Sequence, residues 1–147
     1  MRKQILSIVV TLSVIATLSI AVFAGLSRKL EANIPFDFMV NGKTLPAGQY
    51  TVEQGSTQNV IVIRNWETNQ AAAAITHGCE ASAGSKPQLI FRRYGDQYFL
   101  AKVLSHTSGN ELMKSKAERE AAKAGRDRLA MNDAKPEIVT VNAQVGQ

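Results

Sequence analysis

The sequence predicts a mainly β domain, a small antiparallel β-sandwich or barrel followed by a C-terminal α-helix. Two observations predict the sheet: apolar and polar side chains alternate after Ala32, and turn-forming residues recur at roughly ten-residue intervals. A third predicts the helix, because residues 111–131 are rich in Ala, Glu, Lys and Arg and contain no β-branched residue. A chain of 147 residues is long enough for one domain with one core.

The N-terminal segment, residues 1–24, predicts export. Arg2 and Lys3 precede an uncharged apolar run from Ile5 to Ala24, and the end of this run fits a small-residue cleavage site before Gly25. The run would also span a bilayer as a helix of about 20 residues, so an uncleaved anchor in the cytoplasmic membrane is the alternative to a signal peptide. In both cases we expect the rest of the chain outside the cytoplasm, in the periplasm or secreted.

The predicted β domain spans residues 25–108. Its first strand alternates from Ala32 to Val40, and Pro35 places that strand at a sheet edge or at a strand start, because proline cannot donate to a ladder. Asn41-Gly42 suits the positive φ angles of a tight turn. Further strands are expected at residues 50–52, 59–66, 71–79, 88–94 and 97–105.

The dipeptide Gly95-Asp96 predicts a two-residue hairpin of type II′ between the last two of these strands. In that register Arg93 lies opposite Tyr98, which places a cation over an aromatic ring, and Phe91 lies opposite Leu100.

A charged helix is predicted in residues 109–131, from Glu111 to Met131, with Lys114 spaced to pair with Glu118 on its surface. The tail, residues 132–147, contains the short apolar run Ile138–Val141. This run could add an edge strand to the sheet or remain loose.

Three stretches resemble a group of bacterial predicted-exported proteins. Residues 32–52, ANIPFDFMVNGKTLPAGQYTV, are similar to their IPFDF…GKxLPAGxYxV signature, and residues 87–100 and the KSKAERE run at 114–120 are similar to later parts of those proteins. The resemblance implies an exported β domain followed by a charged helix, and it assigns no activity, ligand or catalytic residue. Cys79 stands at a position that is not associated with the group.

Cysteine and histidine are too few and too dispersed to predict a metal site. His77 and Cys79 would share one face of a strand, but His106 lies on another strand, and zinc needs three or four ligands around one point. We therefore expect no metal or other cofactor. Because Cys79 is the only cysteine, the remaining possibility for it is an intermolecular disulfide.

No serine-hydrolase elbow or phosphate-binding glycine loop is present in the sequence. The net charge of +5, or +3 without Arg2 and Lys3, is too small to indicate a nucleic-acid partner, so we expect none. The candidate ligand-groove residues are Tyr50, Trp66 and Tyr98, and the candidate anion contacts are Arg92 and Arg93. We expect a non-catalytic binding or structural module of the cell envelope. The alternatives are a membrane-anchored envelope protein whose charged helix docks a partner, and a small extracytoplasmic hydrolase without a recognisable motif.

Overall fold

The computed structural model describes residues 29–81, 84–128 and 135–146. Within these ranges the fold is mainly β with a single helix near the C-terminus, which confirms the predicted fold class. The predicted N-terminal segment, residues 1–24, lies outside the described residues. Within the described ranges no helix is both long and apolar enough to cross a bilayer.

Eleven strands and one helix make up the described part of the chain. The elements are β1 (Leu30–Ile34), β2 (Phe38–Val40), β3 (Lys43–Leu45), β4 (Gly48–Gln54), β5 (Val60–Asn65), β6 (Gln70–Cys79), β7 (Gln88–Tyr94), β8 (Gln97–Leu104), β9 (Gly109–Leu112), α1 (Lys116–Arg128), β10 (Glu137–Asn142) and β11 (Gln144–Val145).

The strands form one hydrogen-bonded path in the order β10-β7-β8-β9-β6-β5-β4-β1-β11, and this path is not closed. All neighbours along it are antiparallel. The hairpin of β2 and β3 lies beside the path, where Met39 of β2 pairs in parallel with Phe99 of β8. Strand β6 joins the two halves of the sheet, because its residues 70–75 pair with β5 and its residues 76–79 pair with β9.

The last two strands are consecutive in sequence but pair at opposite ends of the path. Strand β10 pairs with β7, whereas β11 pairs with β1. Ala143, the residue between them, is buried, and its backbone N–H donates to the carbonyl of Pro87 over 2.9 Å. One continuous segment of the chain therefore supplies the strands at both ends of the path.

The core lies on the inner face of this sheet. Its apolar side chains come from β1 through β9, and the rings of Phe38, Tyr50 and Phe91 meet edge to face at centroid distances of 5.0 and 5.5 Å. Buried and less buried positions alternate along β1 and β5, as expected for strands with one face on a core.

The predicted first strand is split in two. Strand β1 ends at Ile34, directly before Pro35, and pairing resumes at Phe38 in β2 with different neighbours. In the interruption, the carboxylate of Asp37 accepts a 2.9 Å hydrogen bond from the backbone N–H of Ala47. Asn41 and Gly42 have φ angles of 49° and 82°, which confirms the predicted tight turn.

The hairpin of β7 and β8 has the predicted register. Arg93 pairs with Tyr98 and Phe91 with Leu100, and the Arg93 guanidinium carbon lies 5.3 Å from the centroid of the Tyr98 ring. Gly95 has a φ of 60°, as a type II′ turn requires at its first central residue. The register shifts between Ile90 and Phe91, because Ile90 pairs with Lys102 and Phe91 with Leu100, which leaves Ala101 as the extra residue of a β-bulge in β8.

The helix begins five residues later than predicted. Glu111 belongs to β9, which pairs with both β6 and β8, so the ladder overrides the local helical preference of this stretch. The hydroxyl oxygen of Ser115 accepts a 3.2 Å hydrogen bond from the backbone N–H of Glu118, as an N-cap residue does, and α1 starts at Lys116. The run at 138–141 lies within β10, at one end of the path.

Candidate functional site: the surface around Trp66

Trp66 begins the four-residue turn between β5 and β6, and its backbone is held by the preceding residue. Asn65 is buried, and its side-chain oxygen accepts hydrogen bonds from the backbone N–H groups of Glu67 and Thr68 at 2.9 and 3.1 Å. This arrangement mimics a backbone turn with a side chain. It fixes the path of the chain on both sides of the tryptophan.

The indole ring is held as firmly as its backbone. Its Nε1–H donates to the Thr51 hydroxyl oxygen over 3.0 Å, and the Thr51 hydroxyl in turn lies 3.4 Å from the carbonyl of Arg64, to which it donates. The guanidinium carbon of Arg64 lies 4.7 Å from the ring centroid. Even so, Trp66 is 59% exposed.

This exposed ring borders a shallow depression of about 220 Å³ at the ends of β1, β4 and β5. We define the Trp66 surface by the residues that line it, namely Lys29, Glu31, Gln49, Tyr50, Thr51, Trp66 and Glu67. Lys29 and Glu31 form an ion pair of 3.3 Å at its margin. The depression thus combines one exposed aromatic ring with charged and amide side chains.

Tyr50 is almost completely buried beneath this surface, with 1% of its area exposed. Its hydroxyl donates a 2.7 Å hydrogen bond to the carbonyl of Pro46. Burial raises the pKa of the Tyr50 phenol above its ordinary value, and the negative charge of Asp37 acts in the same direction. Tyr50 therefore supports the Trp66 surface from below and holds the Pro46 turn in place.

Tyr98, the third aromatic residue predicted for the groove, lies elsewhere. Its ring stacks on Phe36 at a centroid distance of 4.0 Å, and it borders a separate recess of about 150 Å³ together with residues of β2 and the β7–β8 turn. The structure thus brings Tyr50 and Trp66 together and places Tyr98 at a different site.

The predicted anion contacts are both engaged with carboxylates of the chain itself. Arg92 donates to Glu118 over 2.8 Å and to Glu111 over 3.0 Å, and Glu111 also pairs with Lys102 at 3.3 Å. Arg93 donates to Glu137 over 3.1 Å. These ion pairs attach α1 to β7 and join β10 to β7, which is a structural use of both guanidinium groups.

A further cavity, of about 540 Å³, lies between α1 and the β7–β8 turn. Tyr94, Asp96 and Gln97 line it on one side, and Ala121 and Ala124 line it on the other. Small residues and backbone dominate its helix wall, so it offers few groups that could select a ligand.

Cysteine and histidine do not form a cluster in the described ranges. There, no three His, Cys, Asp or Glu side chains lie close enough to hold a metal ion. His77 is exposed opposite Glu111, and Cys79 is half-buried opposite Gly109. His106 lies within 3.2 Å of the Ser85 carbonyl.

Several residues of functional interest escaped the sequence reasoning. Gln49 and Glu67 reach the Trp66 surface only because β4 and β5 are neighbours, and no local pattern marks them. Glu118 had a signal, because Ser115 and Glu118 form the S-x-x-E pattern of a helix start. Its carboxylate, however, binds Arg92 instead of Lys114, which precedes α1.

Comparison of the chain with protein-family models, with curated proteins and with solved structures finds no match, so the Trp66 surface is interpreted from its own geometry.

Proposed function

We propose that this chain is an exported, non-catalytic binding module of the cell envelope, and that it contacts its ligand through the Trp66 surface. The observation that carries the proposal is the combination of exposure and immobility at Trp66, which is 59% exposed although Thr51 and Arg64 hold its ring. A ring whose orientation is already fixed loses little conformational entropy on binding, and an exposed aromatic face offers a large contact area to a ligand.

The export part of the proposal rests on the basic start and apolar run of residues 1–24. Mass spectrometry of the protein isolated from fractionated source cells tests it. We expect a mature chain that starts near Gly25, outside the cytoplasm. Full-length chain in the membrane fraction would instead support the anchored alternative, and full-length chain in the cytoplasm would refute export.

The binding part is tested by co-sedimentation of the purified mature protein with washed cell envelopes of the source organism. We expect the wild-type protein to be retained and the Trp66→Ala variant to be released. Ile75→Ala is the matched control, because Ile75 is also an exposed apolar residue, at 60%, and does not line the Trp66 surface. Equal retention of all three proteins, or retention of none, would contradict binding through Trp66.

A further inference from the structure

The ring of Trp66 presents one open face. Arg64 covers the other face at 4.7 Å, and the Nε1 edge is turned towards Thr51. The residue is nevertheless 59% exposed, and the depression that it borders is not lined by Arg64, from which we infer that the face opposite Arg64 is accessible. This face is a flat apolar platform whose orientation is set before any ligand arrives.

Hydrogen-bonding side chains surround this platform. Gln49 offers an amide with both donors and an acceptor, Glu67 and Glu31 offer acceptors, and Lys29 offers donors. A ligand that rests on the ring can therefore both donate and accept at its edges. Hydroxyl groups do both, which makes a polyhydroxylated ligand a better match than one with a single kind of polar group.

The charges that line the surface do not select an anion. Lys29 supplies one positive charge, which is paired with Glu31 at 3.3 Å, and Glu67 adds a second negative charge. The guanidinium of Arg64 lies against the other face of the ring and does not line the depression. A purely apolar partner is also unfavourable, since it would remove these charged groups from water without hydrogen-bonding to them. The surface therefore favours a polar ligand that carries no negative charge.

The size of the depression limits what it encloses. Its volume of about 220 Å³ is below the range of about 300–1,000 Å³ that is usual for pockets enclosing whole small molecules. An open depression of this size accommodates one ring-sized unit, and the rest of a longer ligand can extend past it.

From these features we propose that the Trp66 surface binds one sugar ring of a neutral saccharide chain. The proposal rests on the proposed function and names the ligand class of the same site. The apolar C–H face of the sugar packs on the open face of Trp66, while its hydroxyls hydrogen-bond to Gln49 and Glu67. No covalent step is involved.

Trp66 is the only tryptophan of the chain, so its fluorescence reports on this surface alone. The probes are three soluble neutral oligosaccharides, namely cellohexaose, maltohexaose and fully N-acetylated chitohexaose, each titrated into the purified mature protein. We expect at least one of them to cause a saturable change in emission. Gln49→Ala and Glu67→Ala should each weaken that binding roughly 3- to 10-fold, which corresponds to the loss of one hydrogen bond. Isothermal calorimetry should show no binding by Trp66→Ala and unchanged binding by Ile75→Ala.

Absence of a saturable change with all three oligosaccharides would overturn the saccharide assignment. Uncharged phosphatidylcholine vesicles serve as a second probe, and a change with vesicles alone would likewise overturn it while identifying a lipid surface as the ligand. Neither result would decide the proposed function, because envelope retention of the wild-type and Trp66→Ala proteins is measured separately.

Discussion

Replacement of Tyr50 by phenylalanine tests how the turn below the Trp66 surface is stabilised. The change removes only the hydroxyl that donates to the Pro46 carbonyl over 2.7 Å. The ring stays, so its edge-to-face contact with Phe38 at 5.0 Å is retained and no large cavity is created. What is lost is the hydrogen bond to the half-buried Pro46 carbonyl and the hydrogen-bond interaction of the phenol with the Asn65 side chain.

The expected cost follows from that geometry. A neutral hydrogen bond contributes about 0.5–1.5 kcal/mol, and an acceptor left without its partner adds to the loss, so we expect Tyr50→Phe to lower the free energy of unfolding by about 1–2 kcal/mol at neutral pH. For a domain of this size the midpoint of thermal unfolding should fall by roughly 3–8 °C.

Alkaline pH supplies a second signature. Because the pKa of Tyr50 is raised in the folded protein, the unfolded chain releases the phenol proton first, near pH 10. Above that pH the unfolded state binds fewer protons than the folded state, so the wild-type protein loses stability as pH rises. The phenylalanine variant lacks this titration, and the difference in stability between the two proteins should therefore shrink above about pH 10.

Urea denaturation of both proteins at about pH 7 and about pH 11 measures the two effects. Tyr98→Phe is the control, since it makes the same chemical change in a half-buried ring at another site. A variant as stable as the wild type at neutral pH would show that the Pro46 hydrogen bond does not stabilise the turn. A stability difference that stays constant up to pH 11 would show that the Tyr50 phenol does not titrate differently in the folded state.

Two further substitutions have matched controls. Gly48→Ala should destabilise the protein by about 1–3 kcal/mol in urea denaturation, because Gly48 has a φ of 154° and an added Cβ would lie 2.8 Å from Asn65 Nδ2. The control is Gly78→Ala, which should be neutral or slightly stabilising because nothing lies within 4 Å of the added atom. Equal losses of stability in the two variants would contradict the steric explanation. Glu118→Gln breaks a buried ion pair with Arg92, so the free energy that holds α1 against the sheet should fall by about 2 kcal/mol. Hydrogen exchange of the helix amides should then be roughly 30-fold faster. Glu120→Gln, on the exposed side of the helix, should change exchange little, and similar exchange in both variants would refute a docking role for Glu118.

Most of the fold could be predicted from the sequence because strands and tight turns are local features. Alternation with a period of two marks β1 and β2, and the β-branched run at residues 60–63 marks β5. Gly95-Asp96 correctly predicts the register of the last hairpin, including the pairing of Arg93 with Tyr98. Local signals failed where tertiary pairing decides the outcome. Glu111 and Leu112 prefer a helix by composition, and they belong to β9 because β6 and β8 lie on either side.

The candidate site could be predicted only in part. Tyr50 and Trp66 are distinctive residues, and an antiparallel β4–β5 pair brings them together. Which strands become neighbours depends on the whole sheet, so neither the separation of Tyr98 nor the arrival of Gln49 is visible in the sequence. The ion pair of Arg92 with Glu118, 26 residues apart, escaped prediction for the same reason.

The segment formed by β10 and β11 has a consequence for the timing of folding. Until residues 137–146 have emerged during synthesis, β7 and β1 each present an unsatisfied row of backbone groups, so a nascent chain can collapse but cannot complete its hydrogen-bond network. Completion waits for contacts that span almost the entire domain, which slows folding. Such a delay is compatible with the export that we propose, and it makes a chain interrupted near its end prone to associate edge to edge.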